Sequence, residues 1–285
     1  MARWQTLQNF QQRSGFVRRL NRKFLKYVLN FLCLFVFLCS STFSMRPAPT
    51  ESAVDLMKKP SDFVDVSKLD PSIQVDLQYF GEANFVGRKI NGYEANKAFL
   101  QQGAAKALIA ANKILEKQGL GIVVYDAYRP RRAVDEFVTW AKDPFDTKTK
   151  KEFYPDFDKM QLLGVYISGI SRHATGRAVD VFLYDLCDEN KKVVDMGCRF
   201  DFFGERSSHD AKGLTEEQTE SRNKLKTAME SSGFKSYDKE FWHYEFPKTN
   251  TDPDVFYDFV ICEEEIQMPE LSSIIKTEIQ GQVIY

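Results

Sequence analysis

The chain holds three histidines, so an imidazole-based site has few candidates. Two of them stand in distinctive surroundings: Ser171-Arg172-His173-Ala174-Thr175-Gly176-Arg177-Ala178-Val179-Asp180 and Glu240-Phe241-Trp242-His243-Tyr244. Asp180 lies between two valines in a strand-like run, where an unpaired carboxylate would be costly to bury and needs a cation or hydrogen-bond donors. His173 and Asp180 alone are equally compatible with a surface histidine and a structural acid. His243 adds to them, because it alternates with Phe241 and Glu245 on one side of a strand while Trp242, Tyr244 and Phe246 share the other. Two imidazoles and one carboxylate make three ligands for a tetrahedral zinc, with a fourth position open to water, the pattern of catalytic sites. Glu240 has the wrong strand parity to share the face of His243. It reaches the same centre only from a bend before the strand, where it would serve as general base; otherwise it is a solvated carboxylate. No spacing links His209 to these residues, and it reads as structural or as part of a rim.

Two more charged residues have chemistry open to them. Arg129, in Tyr125-Asp126-Ala127-Tyr128-Arg129-Pro130, follows a buried strand and precedes a proline, which biases it towards an extended conformation. It could stabilise an oxyanion, or it could belong with Arg131 and Arg132 to a solvated helix start. Asp201 stands among aromatics in Phe200-Asp201-Phe202-Phe203 and could hold a substrate ammonium, although capping a helix is the commoner role of an isolated aspartate.

The elements that would position these residues are legible as periodicities. Ile73, Val75, Leu77 and Tyr79 alternate as a half-buried strand, and Asn91-Gly92 supplies a turn. Apolar residues from Leu100 to Leu115 recur every three or four positions, which predicts a long amphipathic helix over 94–117 ending at Gly119. Strands are expected over 121–125, 178–183 and 241–246, and helices over 131–142 and 219–231. This mixture, with at least one hairpin, predicts an α+β single domain with a largely antiparallel sheet flanked by helices and the zinc site on the sheet face.

The formal charge of −1 hides an uneven distribution. Up to Ser44 there are seven basic residues (Arg3, Arg13, Arg18, Arg19, Arg22, Lys23 and Lys26) and no acidic one, so of the 39 basic and 40 acidic residues in the chain, 32 and 40 fall after it. An acidic body without a basic block argues against nucleic acid as a partner. Hydrophobic residues at 43% and aromatics at 14% suffice for a core and exclude collagen-like and disordered classes. The apolar run Tyr27–Cys39, shorter than the about 20 residues of a relaxed membrane span, followed by small polar residues, reads as a secretory signal peptide cleaved near Ser44. An uncleaved membrane tether is the alternative, and either one exports the body to the periplasm or cell envelope. The expected organisation is a leader over 1–44, a linker over 45–64, the catalytic domain over 65–262 and an extension over 263–285. Cys187 and Cys198 would be offset by several residues along a hairpin, too far for a disulfide.

Taken in order, Tyr128-Arg129-Pro130, Ser171-x-His173-x-x-Gly176-x-Ala178-x-Asp180, Gly197-x-Arg199-Phe200-Asp201-Phe202 and Glu240-x-Trp242-His243-Tyr244 resemble the VanX-type D-alanyl-D-alanine dipeptidases, zinc peptidases of the D,D-peptidase group. Asn84-Phe85-x-Gly87, Asn91-Gly92-Tyr93 and Tyr154-Pro155 extend the resemblance over roughly residues 65 to 260. It implies one zinc per subunit on His173, Asp180 and His243, Glu240 as catalytic base and Arg129 as stabiliser of the transition state. It also implies Asp201, Tyr79 and Ser171 as contacts for a small dipeptide substrate. The sequence departs from the pattern at Arg177, where a small residue is expected, at Phe241, where tryptophan is usual, in the C-terminal tail and in the leader. Export would favour a D,D-carboxypeptidase or endopeptidase acting on wall peptides as an alternative enzyme. A zinc-stabilised binding module without catalysis is the other alternative, and the presence of Glu240 counts against it.

Overall fold

The computed structural model describes residues 56–248 and 254–263. The leader, the first part of the linker and the extension beyond Glu263 lie outside the described residues. Phe63 and Val64, expected to end the linker, already belong to a paired strand.

The elements in chain order are β1 (Phe63–Asp65), α1 (Val66–Leu69), β2 (Gln74–Val75), β3 (Phe99–Gln101), α2 (Gln102–Glu116), β4 (Leu120–Asp126), α3 (Arg131–Lys142), α4 (Lys150–Phe153), α5 (Lys159–Leu162), β5 (Ala178–Asp185), α6 (Glu216–Ser231), β6 (Lys235–Tyr237) and β7 (Glu240–Glu245). Short 3-10 turns occupy Gln78–Phe80, Arg172–Thr175 and Glu205–Ser207. Five strands form one sheet in the order β2-β4-β5-β7-β6; β2 runs parallel to β4 and every other pair is antiparallel. β1 and β3 form a separate antiparallel pair. This is the α+β architecture expected from the sequence.

The central strands carry the core. β5 is buried at every position from Ala178 to Tyr184, so both of its faces are covered and its pattern reads as a continuous apolar run. α2 lies along β4 and against α6. The side-chain carbonyl of the buried Asn112 accepts from the Ile122 N–H at 3.0 Å, tying helix to strand. α6 starts at a capping box in which Thr215 and Gln218 satisfy each other's backbone groups. An aromatic cluster of Tyr79, Phe85, Phe137, Trp140 and Phe203 fills the space between α3 and the loops that carry Tyr79 and Phe203.

Two expected elements are different. The strand expected through Tyr79 stops at Val75, because the Asn96 side chain takes the hydrogen bonds a neighbouring strand would have made. Its Nδ2 donates to the Val75 carbonyl at 2.9 Å and its Oδ1 accepts from the Leu77 N–H at 2.8 Å. Tyr79 then falls in a 3-10 turn. The helix expected from Glu94 begins only at Gln102, since Phe99 and Leu100 are held extended in β3 by pairing with β1. Tertiary pairing overrides the local period there.

Gly176 illustrates how tightly the site is moulded. It ends the 3-10 turn of His173 with φ +71°, and a Cβ placed on it would lie 2.2 Å from the Phe63 ring. Gly176→Ala should cost about 2 kcal/mol or more, from the left-handed backbone and the displaced ring together. Urea denaturation measures this, and an unchanged midpoint would contradict the packing described.

Candidate active site

Sheet register brings the acidic and imidazole groups together. A bulge between Val124 and Asp126 inserts one residue into β4, so that Asp126 rather than Tyr125 stands opposite Asp180. Across the next ladder Asp180 stands opposite His243. Directly paired residues on antiparallel strands point to the same face with Cβ atoms roughly 5 Å apart. Asp126, Asp180 and His243 therefore form one row across three strands.

His173 joins this row from the turn before β5. Ser171 caps that turn, its Oγ accepting from the His173 N–H at 3.3 Å. The His173 ring is buried, and its Nδ1 lies 2.7 Å from the Ala127 carbonyl oxygen. A carbonyl only accepts, so Nδ1 donates to it and Nε2 is the nitrogen that faces the row. Nε2 is 3.1 Å from His243 Nδ1 and 3.3 Å from Asp180 Oδ2, while His243 Nδ1 is 2.9 Å from Asp180 Oδ1. Zinc bonds of about 2.0–2.1 Å at tetrahedral angles put neighbouring ligand atoms roughly 3.3 Å apart. The three residues, with all ligand atoms within 4.8 Å of one another, thus fit a zinc ion in donor type and in spacing. On the far side of His243, Nε2 lies 3.5 Å from Glu245, and a carboxylate there can orient the ring as outer-shell partners do.

Glu240 reaches this centre by a route different from the bend expected. It lies within β7, but between Ser236↔Tyr244 and Tyr237↔Glu240 the ladder skips three residues of β7. Alternation breaks at that irregularity, and both Phe241 and Trp242 are buried. The carboxyl of Glu240 is close enough to His243, Asp180 and Arg129 to be shifted by all three charges. Burial is the largest influence and pushes it up to about 7, against the opposing pull of His243.

Arg129 is largely enclosed at the site, its side chain 14% exposed, and is not on a solvated helix start. Its guanidinium lies over the rings of Tyr79 and Phe137, 5.1 and 5.2 Å from their centroids. Burial works against its charge, but Tyr79, Asp126, Tyr93 and Asp180 around it hold it firmly cationic. Asp201 is also buried and adopts φ +60°, a left-handed conformation that aspartate tolerates better than most residues. Its Oδ1 accepts from the Tyr79 hydroxyl at 3.1 Å, while Oδ2 has no hydrogen-bond partner among the described residues. Burial, then the charge of Asp180, pushes this carboxyl well above the usual range.

All eight residues expected from the sequence are found here or in the turn that carries His173. His209 is elsewhere, packed edge-on to Tyr244 with 6.2 Å between ring centroids. Arg177 forms an ion pair with Asp254. Asp126, Tyr93 and Glu245 were missed by sequence reasoning. Asp126 offered a usable signal, three residues before an arginine at the end of a buried strand, but its partners come from segments far apart in the chain.

A family model described as D-ala-D-ala dipeptidase, Peptidase M15, matches residues 59–261. The chain belongs to this family. Relatives named D-alanyl-D-alanine dipeptidase include one from Enterococcus faecium, 34% identical over 200 residues covering 70% of this chain and 98% of its own. One from Enterococcus faecalis is 36% identical over 200 residues with the same coverage, 70% and 98%. One from Streptomyces coelicolor is 34% identical over 202 residues, again covering 70% and 98%. As a Peptidase M15 member the protein is a zinc metallopeptidase.

A zinc ion held by this cluster would have to displace a proton. Burial opposes a charge on His243, yet its hydrogen bonds to Asp180 and Glu245 raise its pKa to about 10 in the metal-free protein. The imidazole therefore stays protonated below that pH, and binding at Nδ1 must release the proton. Zinc affinity should rise about tenfold per pH unit between pH 6 and 8. Calorimetry in buffers of different ionisation enthalpy should find about one proton released; release of none would remove His243 from the ligand set.

Proposed function

We propose that the protein hydrolyses D-alanyl-D-alanine, or a closely related dipeptide, to free amino acids, with zinc held by His173, Asp180 and His243. The observation that carries this reading is the gathering around one centre of that ligand cluster, a carboxyl pushed up to about 7, a largely enclosed arginine and a buried carboxylate with one oxygen unpartnered.

Zinc, when bound, supplies Lewis acidity that polarises the scissile carbonyl and makes a nearby water easier to deprotonate. Glu240 accepts the proton of the attacking water and passes it to the leaving amine. A carboxyl whose pKa lies near neutrality suits both halves of that transfer. Arg129 keeps its charge inside the protein and faces the oxygen on which negative charge develops, where a preorganised donor is worth most. Asp201 meets the free ammonium of the substrate with Oδ2, steadied by the Tyr79 hydroxyl on Oδ1, and Ser171 lies on the turn that carries His173. A longer peptide would set a neutral amide against that carboxylate, which explains a restriction to dipeptides.

Zinc-loaded protein without residues 1–44 should release D-alanine from D-Ala-D-Ala. Glu240→Gln should lower turnover by about 10²–10⁴-fold with zinc content unchanged. Full activity in that variant would remove Glu240 from the mechanism, and equal turnover of a tripeptide would remove the restriction ascribed to Asp201. The basic and apolar N-terminal segment supports export, by cleavage near Ser44 or by a membrane tether. It also favours a second reading, action on intact wall peptides, which a muropeptide assay beside the dipeptide assay separates from the first.

A further inference from the structure

Arg129 stands between two carboxylates, and only one of them has captured it. Asp126 Oδ2 accepts from both Nε and a terminal nitrogen of the guanidinium, each at 2.8 Å. Asp180 Oδ2 lies 3.5 Å from the same terminal nitrogen, a looser ion pair that is too long for a hydrogen bond. A modest rotation of the guanidinium would close that gap and set a cation on a carboxylate assigned to the metal. The side of Asp126 away from Arg129 is fixed as well. Its Oδ1 accepts from the Tyr93 hydroxyl at 2.7 Å, and Asp126 and Tyr93 are both wholly buried.

We propose that Asp126 is a positioning residue, braced by Tyr93, that holds Arg129 away from Asp180 and turned towards the substrate. The proposal rests on the role given to Arg129 above. A direct effect on His173 is the competing explanation, since Asp126 Oδ2 is 3.5 Å from its Nδ1. That nitrogen already donates to the Ala127 carbonyl at 2.7 Å, however, and has no second proton to give. Asp126 therefore acts through the arginine. Without its charge, Arg129 would be a largely enclosed cation with Asp180 as its nearest acidic partner, where it would compete with zinc as well as leave the developing oxyanion.

Both consequences can be measured in the full chain. Asp126→Asn keeps the shape and removes the charge. Zinc affinity should fall about 10–100-fold, and Arg129→Ala in the same chain should restore most of it. With saturating zinc and D-Ala-D-Ala, kcat should fall on the order of 10²-fold while KM changes little, because the lost interaction belongs to the transition state. In an Arg129→Ala background, Asp126→Asn should have no further effect on kcat, as expected of residues acting as one unit. Additive losses in kcat, or a zinc affinity that Arg129→Ala does not restore, overturn the proposal. Should Asp126→Asn fail to fold, Tyr93→Phe leaves the carboxylate but releases it; a smaller loss of both kcat and zinc affinity supports the brace, and no loss of either overturns it. If Arg129→Ala alone retains full turnover, the catalytic role of Arg129 fails, and the zinc affinities still decide whether Asp126 holds it in place.

Discussion

One level of sheet register governs the site. Asp126, Asp180 and His243 are neighbours because β4, β5 and β7 pair as they do, and slipping any of them by one residue would turn its functional side chain to the opposite face. The bulge in β4 sets that level, and the irregularity between β6 and β7 lets Glu240 join it. The two deviations from regular pairing therefore lie where chemistry is assembled, as bulges commonly do. Most of the remaining fold serves to hold those three strands in place, from the Asn112 anchor to the aromatic cluster.

Such a row is expensive without cations. Asp126, Asp180 and Asp201 are all buried, and an isolated carboxylate in that setting carries a large desolvation penalty. Each finds a different remedy. Asp126 has Arg129 and Tyr93, while Asp180 has two imidazoles that hold it well below the usual range despite its burial. Asp201 has the charge of Arg129 nearby and the Tyr79 hydroxyl on one oxygen, and its second oxygen has no hydrogen-bond partner among the described residues.

The residues gathered at the candidate site, His173, Asp180, His243, Glu240 and Arg129, could be picked out in the sequence because they sat at recognisable strand and turn positions. The α+β class, α3, β4, β5 and β7 were legible for a related reason: their periodicity is strong and local. What could not be read depended on distant partners. Asn96 ends β2 by replacing a strand's hydrogen bonds, and β1 holds residues 99–101 out of the helix that their spacing suggested. Strict alternation misled at Glu240, since strand parity holds only until a bulge resets it. Asp126 was not singled out, because its significance comes from Tyr93 and the cross-strand level of Asp180, neither visible in local sequence.

The division of charges also bears on what the pocket can accept. Asp126 and Arg129 neutralise one another, and Asp180 is assigned with the histidines to a divalent cation. Glu240, poised near neutrality, can exist with or without its proton at little cost. Only Asp201 is left with an unmet demand for positive charge, and its carboxyl resists ionising until something supplies it. A ligand bearing a primary ammonium would meet that demand and lower the pKa of Asp201 as it binds. A neutral amide in the same place would leave the carboxylate uncompensated or force it to stay protonated. Under the function proposed, selection for a free amino terminus would follow from which buried charge the protein leaves unpaired, before any contact with the substrate's side chains is considered.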